Sequence, residues 1–188
     1  PKKMISAKKV QDLATKQLEE IVAIRRHLHS HPELSFMEFN TSKFVAEKLT
    51  ALGIPFKDKV AGTGLVGLIE RKNPSSKIIA LRADMDALPI TETNDVPYRS
   101  QNEGVMHACG HDAHTSSLLG AASILNQLKG EFEGSIKLIF QPGEEKLPGG
   151  ASMMIKEGVL ENPKPSSVFG RHVMPFIPAG KVGFRSGI

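Results

Sequence analysis

Three short apolar runs in this chain each lead straight into a cluster of polar residues. Ile78-Ile79-Ala80-Leu81-Arg82-Ala83 runs into Asp84 and Asp86, Ile136-Lys137-Leu138-Ile139-Phe140 into Gln141-Pro142-Gly143-Glu144-Glu145, and Val168-Phe169-Gly170-Arg171 into His172. Runs of this length and composition read as buried strands. In open α/β sheets, ligands bind in the crevice outside the carboxyl ends of the strands. Carboxylates and a histidine delivered there from separate strands can meet at one point.

The rest of the chain supplies helices to cover such a sheet. Apolar residues at helical spacing predict a helix over 10–29, ended by Pro32. A second is expected over 38–52 with Gly53 as its stop, and a third over 113–128, where Leu118, Leu119, Ala122, Leu125 and Leu128 form a broad stripe. A short helix over 151–157 closes at Gly158. Strands are expected at 64–69, 78–82, 135–140 and 167–169, with Asn73-Pro74-Ser75-Ser76 as a turn. Strands alternating with helices predict a layered α/β domain around a mostly parallel or mixed sheet with flanking helices.

Composition excludes some functions. The net charge of +4 is spread along the chain, and its nearest approach to a cluster is Lys2-Lys3 with Lys8-Lys9. One Tyr and no Trp leave few platforms for stacked bases. No nucleic-acid partner is expected, and no apolar run approaches a membrane span. One cysteine cannot form an internal disulfide, which fits a reducing, cytoplasmic compartment.

Chemistry concentrates in Met106-His107-Ala108-Cys109-Gly110-His111-Asp112-Ala113-His114, which holds three of the seven histidines and the only cysteine. In an extended loop, residues two apart point the same way, so Cys109 and His111 can grip one ion. Sulfur and imidazole together suit Zn, Mn, Co or Ni. A structural zinc site would call for a second ligand pair such as another Cys-x-x-Cys. None exists, which favours a catalytic site completed by Glu145 and His172. Of the adjacent Glu144 and Glu145, one can ligate a cation while the other takes a proton from water. Asp84 and Asp86 could bind metal, orient a ligand imidazole, or simply cap a turn. His27, His29 and His31 stand at a helix C-terminus, where a structural role with the helix dipole is expected.

Five motifs occur in order: Arg25-Arg26-His27-Leu28-His29-Ser30-His31-Pro32-Glu33-Leu34, Arg82-Ala83-Asp84-Met85-Asp86-Ala87-Leu88-Pro89-Ile90, His107 to His114, Gln141-Pro142-Gly143-Glu144-Glu145, and His172-Val173-x-Pro175. Together they closely resemble the M20 metallopeptidase-like amidohydrolases, in the branch of hippurate hydrolases, N-acyl-amino-acid amidohydrolases and indole-acetyl-amino-acid hydrolases. The resemblance implies a centre of two divalent metal ions, Zn or Mn, with Cys109, His111, Glu145 and His172 as ligands. It implies Glu144 as general base, Asp86 as a supporting active-site acid, and His114 behind the ligands. The substrate would be a small N-acyl amino acid, hydrolysed at its amide, and the full-length protein a homodimer.

Two departures stand out. Arg171 precedes His172 where an apolar residue is usual in the family. Family proteins also continue into a lid or dimerisation domain and return with one more metal-binding histidine, whereas this sequence stops at Ser186-Gly187-Ile188. Residues 1–188 are therefore expected to be one portion of a catalytic domain, without lid or C-terminal segment. The competing readings are a non-catalytic fragment of such an enzyme and a metal-independent hydrolase with Cys109 as nucleophile.

Overall fold

A computed structural model describes residues 5–184; Lys2, Lys3 and the Ser186-Gly187-Ile188 end lie outside them. The chain opens with helix α1 (Ala7–Ser30), followed by α2 (Phe39–Ala51), β1 (Phe56–Val60), β2 (Gly64–Glu70) and β3 (Ile78–Asp84). It then forms α3 (His111–Gln127), β4 (Ser135–Gln141), α4 (Gly150–Lys156) and β5 (Ser167–Gly170). The strands make one sheet in the order β1-β2-β4-β3-β5. β1 and β2 run antiparallel to their neighbours, while β3 is parallel to both β4 and β5. The expected mixed α/β sheet with flanking helices is what the chain forms.

Side-chain alternation sorts the sheet into two faces. Ile136, Leu138 and Phe140 of β4 and Ala83 of β3 point into a core shared with Ile24, Leu28, Val45, Leu49, Leu118 and Leu119 of α1, α2 and α3. Ala80 and Ile139 point the other way, to Met154 of α4 and Val159. β4 is buried at all seven positions, and β5, at the sheet edge, is exposed at all four.

The differences from expectation have local causes. α1 begins three residues early because the Ser6 hydroxyl accepts the Lys9 amide as an N-cap. β1 (Phe-Lys-Asp-Lys-Val) was not expected: an edge strand exposed at its three central positions carries no apolar signal. No helix among the described residues is long and apolar enough to cross a membrane.

Candidate metal centre

Parallel pairing brings three strand ends together. Asp84 pairs in register with Gln141, and Arg82 with Gly170. Asp86, Glu144, Glu145 and His172 therefore leave neighbouring strands on the same side. Cys109 lies in the loop before α3, and His111 is that helix's first residue. Gly110 makes the junction possible: its φ of +84° is left-handed, and a Cβ there would stand 2.2 Å from a Val173 methyl. The loop after β5 thus packs directly on the start of α3.

Hydrogen bonds fix which imidazole nitrogens face the site. His111 Nδ1 is 2.9 Å from the Asp86 carbonyl and 3.1 Å from its carboxylate, so it carries the proton. Its Nε2 is buried without a partner. Around that nitrogen stand Glu145 at 3.8 Å and Glu144 and Asp84 at 3.9 Å. His172 donates through Nδ1 to the Val173 carbonyl (2.6 Å), leaving Nε2 as an acceptor 3.3 Å from Cys109 Sγ. Ligand atoms of Cys109, His111 and His172 converge within 4.8 Å of one another, as do those of His111, Glu144 and Glu145. His111 belongs to both groups.

Asp84 and His114 also converge with His111, but their atoms are committed elsewhere. Asp84 pairs with the Arg82 guanidinium and accepts from His114 Nδ1 at 3.1 Å, while His114 Nε2 accepts the Val173 amide at 3.0 Å. His114 thus ties β3 to the loop after β5 and has no nitrogen left for a ligand. Arg171, which stands where an apolar residue is usual, turns to the side of α3 and donates to Ala113 O (2.8 Å) and the Ser117 hydroxyl.

The Glu144–Glu145 loop is held from beneath by two buried carboxylates. Asp86 accepts the Glu145 amide at 2.9 Å and the Ser35 hydroxyl at 2.6 Å, in addition to His111. Burial alone would raise its pKa, but His111, Ser35 and the amides of Glu145 and Glu144 outweigh it and hold Asp86 down at about 2. Glu38 accepts the Gly143 amide at 2.7 Å and the Thr63 hydroxyl at 2.5 Å. Burial pushes the Glu38 carboxyl above its ordinary range despite those donors. Sequence reasoning placed Glu38 at a helix start and gave Ser35 no part. Their partners lie 105 and 51 residues away, and no local pattern announces them.

Two further groups refine the sequence reading. His29, expected to meet the helix dipole, instead has Nδ1 2.7 Å from Asp112 and Nε2 3.0 Å from Glu92. Arg25 Nε adds a second contact to Asp112 at 2.8 Å. His107, one of the four clustered candidates, joins none of the converging groups among the described residues. Its ring is buried beside His29 (centroids 6.5 Å apart), and burial lowers its pKa to about 4, so it is neutral.

The donor set suits a divalent cation. A thiol, the His172 Nε2 and two carboxylates gather about the buried His111 Nε2, which no protein donor satisfies. Burial disfavours charge on His111, but Asp86 and Asp84 outweigh it and raise its pKa. The field that favours a proton at Nε2 equally favours a metal ion there.

Comparison with known proteins agrees with this picture. Residues 80–187 match the model of the Peptidase family M20/M25/M40. The chain belongs to this family. It is 40% identical over 183 residues to the N-acyl-L-amino acid amidohydrolase of Geobacillus stearothermophilus, covering 97% of this chain and 49% of that protein. It is 49% identical over 157 residues to the hippurate hydrolase of Campylobacter jejuni, covering 84% and 40%. Among solved structures, the YXEP protein of Bacillus subtilis, described as a dinuclear metal binding peptidase of the M20 family, matches with a TM-score of 0.84 and 40% identity over 94% of this chain and 48% of that one. The chain spans about half the length of the curated relatives it matches.

Proposed function

We propose that the natural protein is a metal-dependent amidohydrolase that cleaves N-acyl amino acids, and that this chain carries most of its metal-binding machinery. The convergence of Cys109, His111, Glu144, Glu145 and His172 around the unpartnered Nε2 of His111 carries the reading. The similarity to an N-acyl-L-amino acid amidohydrolase and a hippurate hydrolase supports the substrate class.

In this reading Cys109, His111, Glu145 and His172 hold two divalent cations, Zn or Mn, with Co or Ni compatible with the same donors. Cations bound there would polarise the substrate carbonyl and acidify a water molecule. Glu144 is the general base, removing the water's proton and returning it to the departing nitrogen. The exposures are compatible with this division: the Glu144 side chain is 42% exposed and that of Glu145 24%. Asp86 keeps the His111 proton on Nδ1 and holds the glutamate loop through the Glu145 amide. A homodimer and a cytoplasmic location belong to the same proposal.

The cysteine-nucleophile alternative fares poorly. Burial, with Glu145, Glu144 and Asp84 nearby, pushes the Cys109 thiol up to about 12, opposite to what an activated thiol requires.

The test uses the natural full-length protein with N-acetyl, N-benzoyl and indole-acetyl amino acids. Dialysis against a chelator should abolish hydrolysis, and Zn or Mn should restore it. Activity that survives metal removal but is lost on thiol alkylation would overturn the reading in favour of Cys109 chemistry.

A further inference from the structure

The segment just before α2 makes three separate contacts beneath the two glutamates. Ser35 donates to Asp86, which in turn accepts the Glu145 amide. The Phe36 ring lies against Gly143, so close that a Cβ there would stand 2.3 Å from two ring carbons. Glu38 accepts the Gly143 amide. The segment is itself anchored, because Glu33 accepts the amides of Asn40 (3.1 Å) and Thr41 (2.8 Å) at the start of α2.

Of the three, Glu38 is the costliest to keep. Its side chain is fully buried, and a buried carboxylate is expensive unless its partners repay desolvation. Its partners include the Thr63 hydroxyl and the amide of Gly143, one residue before Glu144, with the Phe36 and Glu38 amides also acting on it. Removing the carboxylate would leave the buried Gly143 amide and Thr63 hydroxyl without an acceptor, and the first of these heads the loop that carries the two glutamates.

We propose that Glu38 is a positioning residue: its carboxylate fixes the Gly143 amide and thereby sets where Glu144 and Glu145 stand relative to His111. The proposal rests on the amidohydrolase reading for its catalytic consequence, but not for its structural one. Loss of the bond loosens one end of the loop, which then keeps only the Gly150 amide on the Gly143 carbonyl (2.9 Å) and the Phe36 contact, while Asp86 still holds the other end. Both glutamates then sample positions displaced from the site, and misplacement of about 1 Å costs roughly 10²-fold in rate.

The experiment compares Glu38→Ala, Glu38→Asp, Glu38→Gln and Thr63→Val in the natural full-length protein. It reads kcat and KM at saturating metal, metal content, and hydrogen exchange at the amides of residues 143–145. Glu38→Ala should lower kcat about 10²-fold with KM nearly constant, and Glu38→Asp, whose oxygens fall short of Gly143, about tenfold. Glu38→Gln, whose amide oxygen still accepts the Gly143 amide, should stay within about fivefold of wild type. Exchange at 143–145 should quicken about tenfold or more in the Ala and Asp variants. Thr63→Val keeps the Gly143 bond and should leave kcat within about threefold even if it lowers the melting temperature.

Wild-type exchange and kcat in Glu38→Asp would overturn the proposal, also where Glu38→Ala fails to fold. Equal losses in Thr63→Val and Glu38→Asp would overturn it too, since the pocket's packing would then be responsible. If wild type hydrolyses no N-acyl amino acid, the amidohydrolase reading falls, and exchange at 143–145 decides the role of Glu38 independently.

Discussion

His111 and Asp86 are joined twice: the imidazole Nδ1 lies 2.9 Å from the aspartate's carbonyl and 3.1 Å from its carboxylate. One residue thereby sets both the tautomer and the ring orientation of the histidine at the centre of the site. The same carboxylate accepts the Glu145 amide, so helix α3 and the loop after β4 are registered against one anion. Groups that orient a ligand in this way typically account for 10–100-fold in metal affinity. Asp86→Asn should therefore weaken Zn or Mn binding by about that factor while secondary structure persists. Titration calorimetry on the metal-free protein reads it directly, and unchanged affinity would refute the coupling.

Replacing Glu144 by Gln separates the two glutamates. The carboxamide keeps the size of the side chain but cannot take a proton, and a lost general base typically costs 10²–10⁴-fold. Turnover should fall by about that factor while metal content, measured by elemental analysis, stays nearly unchanged. Metal loss alongside activity would mean that Glu144, not only Glu145, is a ligand.

How much of this was legible depends on the distance over which each feature is encoded. Strand β4 was readable because burial at every position calls for a nearly continuous apolar run, β3 because its short apolar run is half-buried or buried throughout, and the polar residues after both marked the site. Cys109 and His111 were readable because they lie two residues apart. β1 was not: an edge strand of alternating lysine and aspartate has the local signature of a loop. Neither was the support around the site. His29 meets Asp112 and Glu92 across 83 and 63 residues, and Glu38 meets Gly143 across 105. Such bonds come from the approach of separate elements, so no window of sequence contains them. The commitment of His114 was likewise decided by the Val173 amide, a backbone group that any residue could supply.

Glu92 gives the fold a pH dependence. Burial would raise its pKa, but the Ser100 amide, His29 and Asn94 outweigh burial and hold it at about 2, against an ordinary 4.5. A depressed folded-state value contributes stability above the unfolded value and loses it as pH falls through the folded one. Glu92→Gln should cost about 1–3 kcal/mol at pH 7. The gap to wild type should be roughly halved near pH 3 and vanish towards pH 2. Urea unfolding of both proteins across this range provides the measurement; a gap as large at pH 3 as at pH 7 would assign the stabilisation to another group.

Gly143 carries two separate constraints. Its φ of +53° is left-handed, which costs a residue with a Cβ about 1–2 kcal/mol, and the Phe36 ring occupies the space a Cβ would need. Phe36 holds a positive φ of its own, 65°, a conformation a bulky residue keeps only where its surroundings impose it. Gly143→Ala should therefore destabilise by about 2–4 kcal/mol in the wild-type background, backbone strain and overpacking together. In a Phe36→Ala background only the backbone cost remains, about 1–2 kcal/mol. The difference is the coupling between the ring and the glycine, read from a double-mutant cycle. Hydrolysis should stay depressed in both backgrounds, because relieving the clash does not restore the turn that presents Glu144 and Glu145. Equal costs of Gly143→Ala with and without the ring would show that Phe36 yields freely, and its part in holding the loop would be lost.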